Sequence, residues 1–146
     1  MQEKKTHLAN QLCFSIYNSN RLFNQFYKKS LKSFDLTYTQ YLVLLSLWEQ
    51  DGQSLQELGQ QFGLTSNTLT PLLKRLEDKG YLMRMRPKKE RCRLLIQLTE
   101  NGRSLQSDVE KVLKDCLGNL APMSLDKAQQ MIDDNNLLSA ALKKLM

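Results

Sequence analysis

The stretch from Ser54 to Leu98 constrains this chain most, because a short helix, a glycine turn, a second helix and a basic hairpin follow one another in it. SLQELGQQFG opens on Ser54 and Glu57, a capping box, and ends on Gly63, which predicts a short helix and a tight turn. The next run starts at Thr65, a good N-cap residue. Leu69, Leu72, Leu73 and Leu76 then repeat at helical spacing until Gly80 closes the helix. That is helix-turn-helix spacing. Beyond it Met83 and Met85 alternate with Arg84 and Arg86, and Leu94, Ile96 and Leu98 alternate with Arg93 and Gln97. Two strands flanking PKKER are expected, a hairpin with a basic tip.

The second helix has one leucine stripe to bury and one face left over. At about 100° per residue the spare face carries Asn67, Thr70, Pro71 and Lys74, with Ser66, Thr68 and Arg75 beside them. Short hydroxyls and amides suit base edges in a major groove, and long cations suit phosphates. Arg84, Arg86, Lys88, Lys89, Arg91 and Arg93 extend the basic surface onto the hairpin. From Lys74 to Arg93 there are nine Lys or Arg and three Asp or Glu, a local net of +6 that equals the formal charge of the whole chain. A charge run is often only a solvated face, but this one is concentrated on a reading helix and a wing, the footprint of double-stranded DNA binding. Pro71 removes an amide donor at about 3 kcal/mol in a regular helix interior, so the first turn is expected to be distorted or the helix to start later.

The 146 residues suit one compact unit with helical extensions. No apolar run approaches the roughly 18 residues of a membrane span, and MQEKKTHLANQ has no signal-peptide core, so the expected location is cytoplasmic with no membrane partner. Cys13, Cys92 and Cys116 form no CxxC pair and His7 is the only histidine, so neither a structural metal nor a cofactor is expected.

From about Thr6 to Ser33, Leu8, Leu12, Ile16, Phe23 and Phe26 keep helical spacing. After a break at 35–37, YTQYLVLLSLWEQ should be a core helix. Beyond the hairpin Thr99 can cap a helix striped by Leu105, Val109, Val112, Leu113, Cys116 and Leu120, which Pro122 stops. Ser124 then caps a last helix through Leu125, Met131, Ile132, Leu138, Ala141, Leu142 and Leu145. The expected fold is mainly α with a small β-hairpin. A winged helix-turn-helix core at 36–98 stands between dimerisation helices at 6–35 and 100–146, in a single chain spanning 1–146. Apolar arms with no partner in so small a core are most simply buried against a second copy. The two reading helices of such a homodimer would lie about 34 Å apart on a pseudo-palindromic operator.

Cys13 by default is a small buried hydrophobe. Tyr17 and Tyr27, however, lie within about 40° of it round the first helix, on a shared face. Fourteen residues is about 21 Å along a helix, so Tyr27 cannot reach its own Cys13. It could reach that of a second chain if the two first helices cross antiparallel, and Tyr38 could join from the same side.

NQLCFSIY, LTYTQYLVLLSLWE and SNTLTPLLKRLE, in this order, resemble the MarR family of winged-helix regulators, in particular its organic-hydroperoxide-sensing, two-cysteine branch. The resemblance covers Asn10 to about Gly102 well and the last helices loosely. It implies that Cys13 is the peroxidatic cysteine, hydrogen-bonded by Tyr17, Tyr27 and Tyr38, whose donation to sulfur favours the thiolate. It also implies that Cys116 resolves the sulfenic acid as an intersubunit disulfide, with an organic hydroperoxide as the signal and repression as the expected output. The alternative is that the three tyrosines simply pack at a dimer interface. Cys92 is expected to be a chance thiol on a strand. Relatives often carry Asp, Ser, Gly where Thr65, Ser66 and Asn67 stand, and Asp, any residue, Arg near the wing tip where this chain has Glu90, Arg91, Cys92 and Arg93. Either Arg91 or Arg93 is then the minor-groove residue. Three other readings compete: a MarR-type regulator released by a small aromatic ligand, a thiol peroxidase and a DNA-compacting protein. The peroxidase lacks any catalytic motif and has no use for a basic winged head.

Overall fold

The computed structural model describes residues 1–89, 92–117, 120 and 123–146. Its elements run α1 (Gln2–Ser30), a short 3-10 turn (Lys32–Phe34), α2 (Tyr38–Glu49), β1 (Gln53–Ser54), α3 (Leu55–Phe62), α4 (Ser66–Asp78), β2 (Leu82–Met85), β3 (Leu95–Leu98), α5 (Glu100–Leu117) and α6 (Leu125–Leu145). They form two compact units, Met1–Val112 and Leu113–Met146. The fold is mainly α with a small antiparallel sheet.

Local signals set most boundaries. Thr37 and Gln40 form a reciprocal capping box at α2, and Ser54 and Glu57 form another at α3. Gly63 ends α3 in the left-handed conformation (φ 64°), where a side chain would be strained. At the end of α4 the Gly80 N–H donates to Glu77 O (2.9 Å) and the Tyr81 N–H to Leu76 O (3.0 Å), a Schellman closure with Gly80 at φ 81°. Thr99 caps α5 by accepting from the Gly102 N–H (3.1 Å), and Ser124 caps α6 by accepting from the Lys127 N–H (3.1 Å).

The core of the first unit gathers Leu31, Val43, Leu44, Leu47, Leu58, Leu69, Leu73, Leu76, Leu82, Ile96 and Val109, all inaccessible or nearly so. One buried polar network stitches α2 to the reader. The Gln53 amide donates to Ser46 O, Ser46 Oγ and Gln50 O, and Ser46 Oγ donates to Gln61 Oε1 at 2.6 Å.

Several expectations are corrected. The first helix spans Gln2–Ser30 rather than 6–33, because the chain turns at Leu31, whose side chain is wholly buried. The sheet has three strands in the order β1-β3-β2, not two: the two residues of β1 pair with β3 through Gln53↔Ile96 and Ser54↔Leu95. Thr65 occupies the N-cap position of α4 but its hydroxyl makes no cap bond and lies 3.4 Å from the Thr68 hydroxyl. The α4 helix starts at Ser66 and runs unbroken through Pro71, so the later start does not occur. Its first turn is tightened instead by a Thr68 N–H to Thr65 O bond of 3.1 Å. Leu120, expected on the α5 stripe, lies beyond the helix end at Leu117. Pro122 lies outside the described residues.

Candidate nucleic-acid interface and thiol face

The α4 helix buries Leu69, Leu73 and Leu76, with Leu72 half-buried, and this fixes what it shows to solvent. Ser66, Asn67, Thr68, Pro71, Lys74 and Arg75 are exposed and Thr70 is half-buried. The missing amide of Pro71 leaves the Asn67 carbonyl without its helical donor on this exposed face. The residues expected to read DNA therefore share one accessible surface.

The wing, β2 and β3, pairs Leu82↔Leu98, Met83↔Gln97, Arg84↔Ile96 and Met85↔Leu95. The alternation of β2 is present, and packing sets which face turns inward. Met83 and Met85 face outward, 43% and 45% exposed, while Leu82, Ile96 and Leu98 turn into the core. Arg84 shares the inner face. Its Nη2 donates to Glu77 Oε1 at 3.1 Å and its Nε to Glu77 Oε2 at 3.2 Å, so this guanidinium is committed to α4. The bond from Arg84 holds the Glu77 carboxyl below the usual carboxylate range, and Glu77 in turn pushes Arg84 further up. Arg93 Nη2 donates to Glu57 Oε1 at 2.9 Å, and Lys79 Nζ lies 3.4 Å from the Asp35 carboxylate. Arg86, Lys88 and Lys89 are exposed along the hairpin. Arg91 lies outside the described residues.

The thiol face is built on α1, which has no buried residue. Leu8, Leu12, Phe14, Ile16, Leu22 and Phe23 are all exposed, Phe14 by 69%. Cys13 is an exposed thiol on this helix, and Tyr17, one turn on, is exposed beside Phe14, their ring centroids 6.5 Å apart. Near the other end of α1, Tyr27 stacks on Tyr38 of α2 (centroids 4.5 Å, 18° between planes) and on Tyr41 (5.5 Å, 25°). The structure thus brings Tyr27 and Tyr38 together and leaves Tyr17 about three turns and Cys13 about four turns away along α1. Cys116 is a half-buried thiol near the end of α5, in the second unit, and Cys92 is exposed beside the wing.

Sequence reasoning missed Tyr41, the third ring of the stack. Burial pushes its phenol up to about 12, with smaller contributions from Tyr27, Glu110 and Tyr38; burial also raises Tyr27. Both phenols stay protonated at neutral pH and are hydrogen-bond donors there. The signal for Tyr41 was its i+3 spacing from Tyr38. Tyr41 packs edge-on to Trp48 (6.4 Å), whose Nε1 donates to Gly102 O at 2.8 Å in the first turn of α5. Sequence reasoning also passed over Glu77 and read Glu57 only as part of a helix cap, not as a partner of Arg93. No group of His, Cys, Asp and Glu suited to a metal occurs among the described residues, and no helix there is long and apolar enough to cross a membrane.

Residues 25–109 match the family model described as transcriptional regulator SarA/Rot. The chain is 41% identical to the organic hydroperoxide resistance transcriptional regulator of Bacillus subtilis over 81% of this chain and 82% of that one. It is also 41% identical to the regulator TtmR of Methylorubrum extorquens over 87% of this chain, but spans only 65% of TtmR's length. AbfR, whose structure from Staphylococcus epidermidis is known, superposes in three states. Reduced AbfR bound to DNA gives a TM-score of 0.89 at 44% identity over 99% of both chains, and overoxidised AbfR bound to DNA gives 0.85 at 44% over 100% of both. Disulfide-formed AbfR gives 0.70 at 46% over 92% of this chain and 96% of that one. With its exposed reading helix, its basic wing and these relatives, the chain belongs to the SarA/Rot family of transcriptional regulators and is a DNA-binding protein of the MarR winged-helix type.

Proposed function

We propose that this regulator is a homodimeric repressor that senses peroxide: Cys13 is oxidised and then forms a disulfide with the partner subunit's Cys116, which releases a pseudo-palindromic operator. The observation that carries the reading is the α1 face. An exposed thiol and an exposed tyrosine stand on a helix with no fully buried residue, and a stack of tyrosine rings lies about 21 Å along the same helix. Two such helices crossing antiparallel would bury the exposed apolar residues and bring each Cys13 to the other chain's phenols. A dimer would complete a site that one chain leaves in two halves.

The chemistry balances with an organic hydroperoxide as oxidant. The Cys13 thiolate attacks one peroxide oxygen, the O–O bond breaks, and the alkoxide leaves and takes a proton as the alcohol; the sulfur is left as sulfenic acid. The Cys116 sulfur then displaces hydroxide, which leaves as water, and an S–S bond forms. Such a bond needs Cα atoms within about 7 Å, so closing it moves whatever holds the two cysteines farther apart. The lower likeness of the fold to disulfide-formed AbfR than to its reduced and overoxidised DNA-bound states supports this step as the switch. Moved arms take the reading heads off one-turn spacing. Ser66, Asn67, Thr68, Thr70 and Pro71 would read bases, while Lys74, Arg75, Arg86, Lys88, Lys89 and the wing tip would hold phosphates. The protein would act in the cytoplasm.

The test is operator release by cumene hydroperoxide, followed by anisotropy for the native chain and Cys13→Ser. The native protein should leave the DNA and return with dithiothreitol, and Cys13→Ser should stay bound. Release of Cys13→Ser by peroxide removes the sensor assignment. Release of both proteins by salicylate, and of neither by peroxide, supports a small aromatic ligand instead.

A further inference from the structure

Two acids lie beside the basic reading helix and wing, each engaged by an arginine of the hairpin. One Glu77 carboxylate takes three bonds from a single residue of β2: Arg84 Nη2 at 3.1 Å, and Arg84 Nε and backbone N–H at 3.2 Å each. Across the hairpin, Glu57 Oε1 accepts from Arg93 Nη2 at 2.9 Å while its Oε2 accepts from the Ser54 N–H at 3.0 Å. One carboxylate thus closes the N-terminal cap of α3 and ties down the chain entering β3. Arg84 is only 24% exposed in its side chain, and its fork is filled by the carboxylate.

We propose that Glu77 and Glu57 are positioning residues for sequence recognition: through Arg84 and Arg93 they brace the wing against α4 and α3, fixing the angle at which wing and reading helix meet the duplex. The proposal rests on the operator-binding part of the reading above and on none of its thiol chemistry. The sign of the electrostatics makes it separable. Removing an acid from a basic face strengthens phosphate attraction, so charge alone predicts tighter binding to every duplex. A lost brace predicts weaker binding only where wing and helix must engage together. Arg84 then belongs with the braces and not with the phosphate contacts.

The experiment uses the duplex that the native full-length chain enriches from a randomised pool, and a scrambled duplex of equal length and composition. The ratio of the two Kd values is measured for the native chain, Glu77→Gln, Glu57→Gln and Arg84→Lys. That ratio is independent of how much of each preparation is folded. Gln keeps an acceptor for the backbone N–H groups, and Lys keeps the charge of Arg84 without its fork. The expected result is a ratio reduced at least about fivefold in Glu77→Gln and Arg84→Lys, and less in the more exposed Glu57→Gln, with scrambled-duplex affinity equal or higher in the two acid variants. An unchanged ratio, or loss of affinity for both duplexes in step, overturns the proposal. A native chain that enriches no sequence overturns the operator reading instead.

Discussion

Gly102→Ala puts helix propensity and packing in direct opposition. A Cβ built on Gly102 falls well inside van der Waals contact of the Tyr81 carbonyl oxygen, 3.0 Å from its carbonyl carbon and 3.2 Å from Leu98 Cδ2. Neither neighbour yields easily: Tyr81 O accepts from the Thr99 N–H at 3.1 Å, and Leu98 is in the core. The substitution must lift the first turn of α5 off the base of the wing. It also strains the 2.8 Å bond from Trp48 Nε1 to Gly102 O. Alanine returns at most about 1 kcal/mol of helix propensity. Overpacking costs about 1 to 3 kcal/mol, and a weakened Trp48 bond about 1 more. The net is a loss of about 1 to 3 kcal/mol. Urea unfolding followed by the fluorescence of Trp48, the single tryptophan, reads it directly. A lower midpoint with an altered native emission is expected. A variant as stable as the native chain, or more so, would refute the close seating of α5 on Tyr81.

Further predictions concern pH, the thiols and the reading helix. The Tyr41 phenol is raised from 10 to about 12 on folding, so its contribution to stability is complete below pH 10 and is lost as pH rises towards 12. Tyr41→Phe should abolish about 2 to 3 kcal/mol of the alkaline loss seen between those limits in urea titrations. Unchanged alkaline behaviour would mean that Tyr41 is not buried as described. Cys116→Ser should still be oxidised at Cys13, by mass spectrometry, but should give no crosslinked dimer and should stay on the operator. Asn67→Ala or Thr70→Ala should relax preference at particular base pairs by about 1 to 3 kcal/mol, whereas Arg75→Ala should weaken all sequences alike in competition binding.

What was legible in the sequence was local. Ser54 with Glu57, Gly63, Gly80, Thr99 and Ser124 each set a boundary by chemistry within a few residues, and the structure has all of them at work. What depended on distant partners was not legible. The Met-Arg alternation of β2 marks a strand but does not say which residues turn inward; Arg84 finds Glu77 seven residues earlier across the Gly80 turn, and Met83 and Met85 face outward. The two residues of β1 carry no alternation at all and exist as a strand only because β3 lies beside them. At the thiol face, Cys13, Tyr17, Tyr27 and Tyr38 were named from one helix face and a resemblance. Tyr41 entered only when α2 packed against α1. Along α1, Leu8, Leu12, Ile16 and Phe23 of the apolar stripe are exposed, while Phe26 and Tyr27 at its far end are half-buried, Tyr27 against α2.

The measurement that tests the central claim most directly is non-reducing gel migration of the native protein, with and without an organic hydroperoxide, alongside operator binding in the same tubes. The two-cysteine switch predicts a crosslinked dimer that appears as binding disappears, with a Cys13–Cys116 linkage by peptide mapping. Full release of the operator with no crosslink, or a crosslinked dimer still bound to it, would contradict that switch.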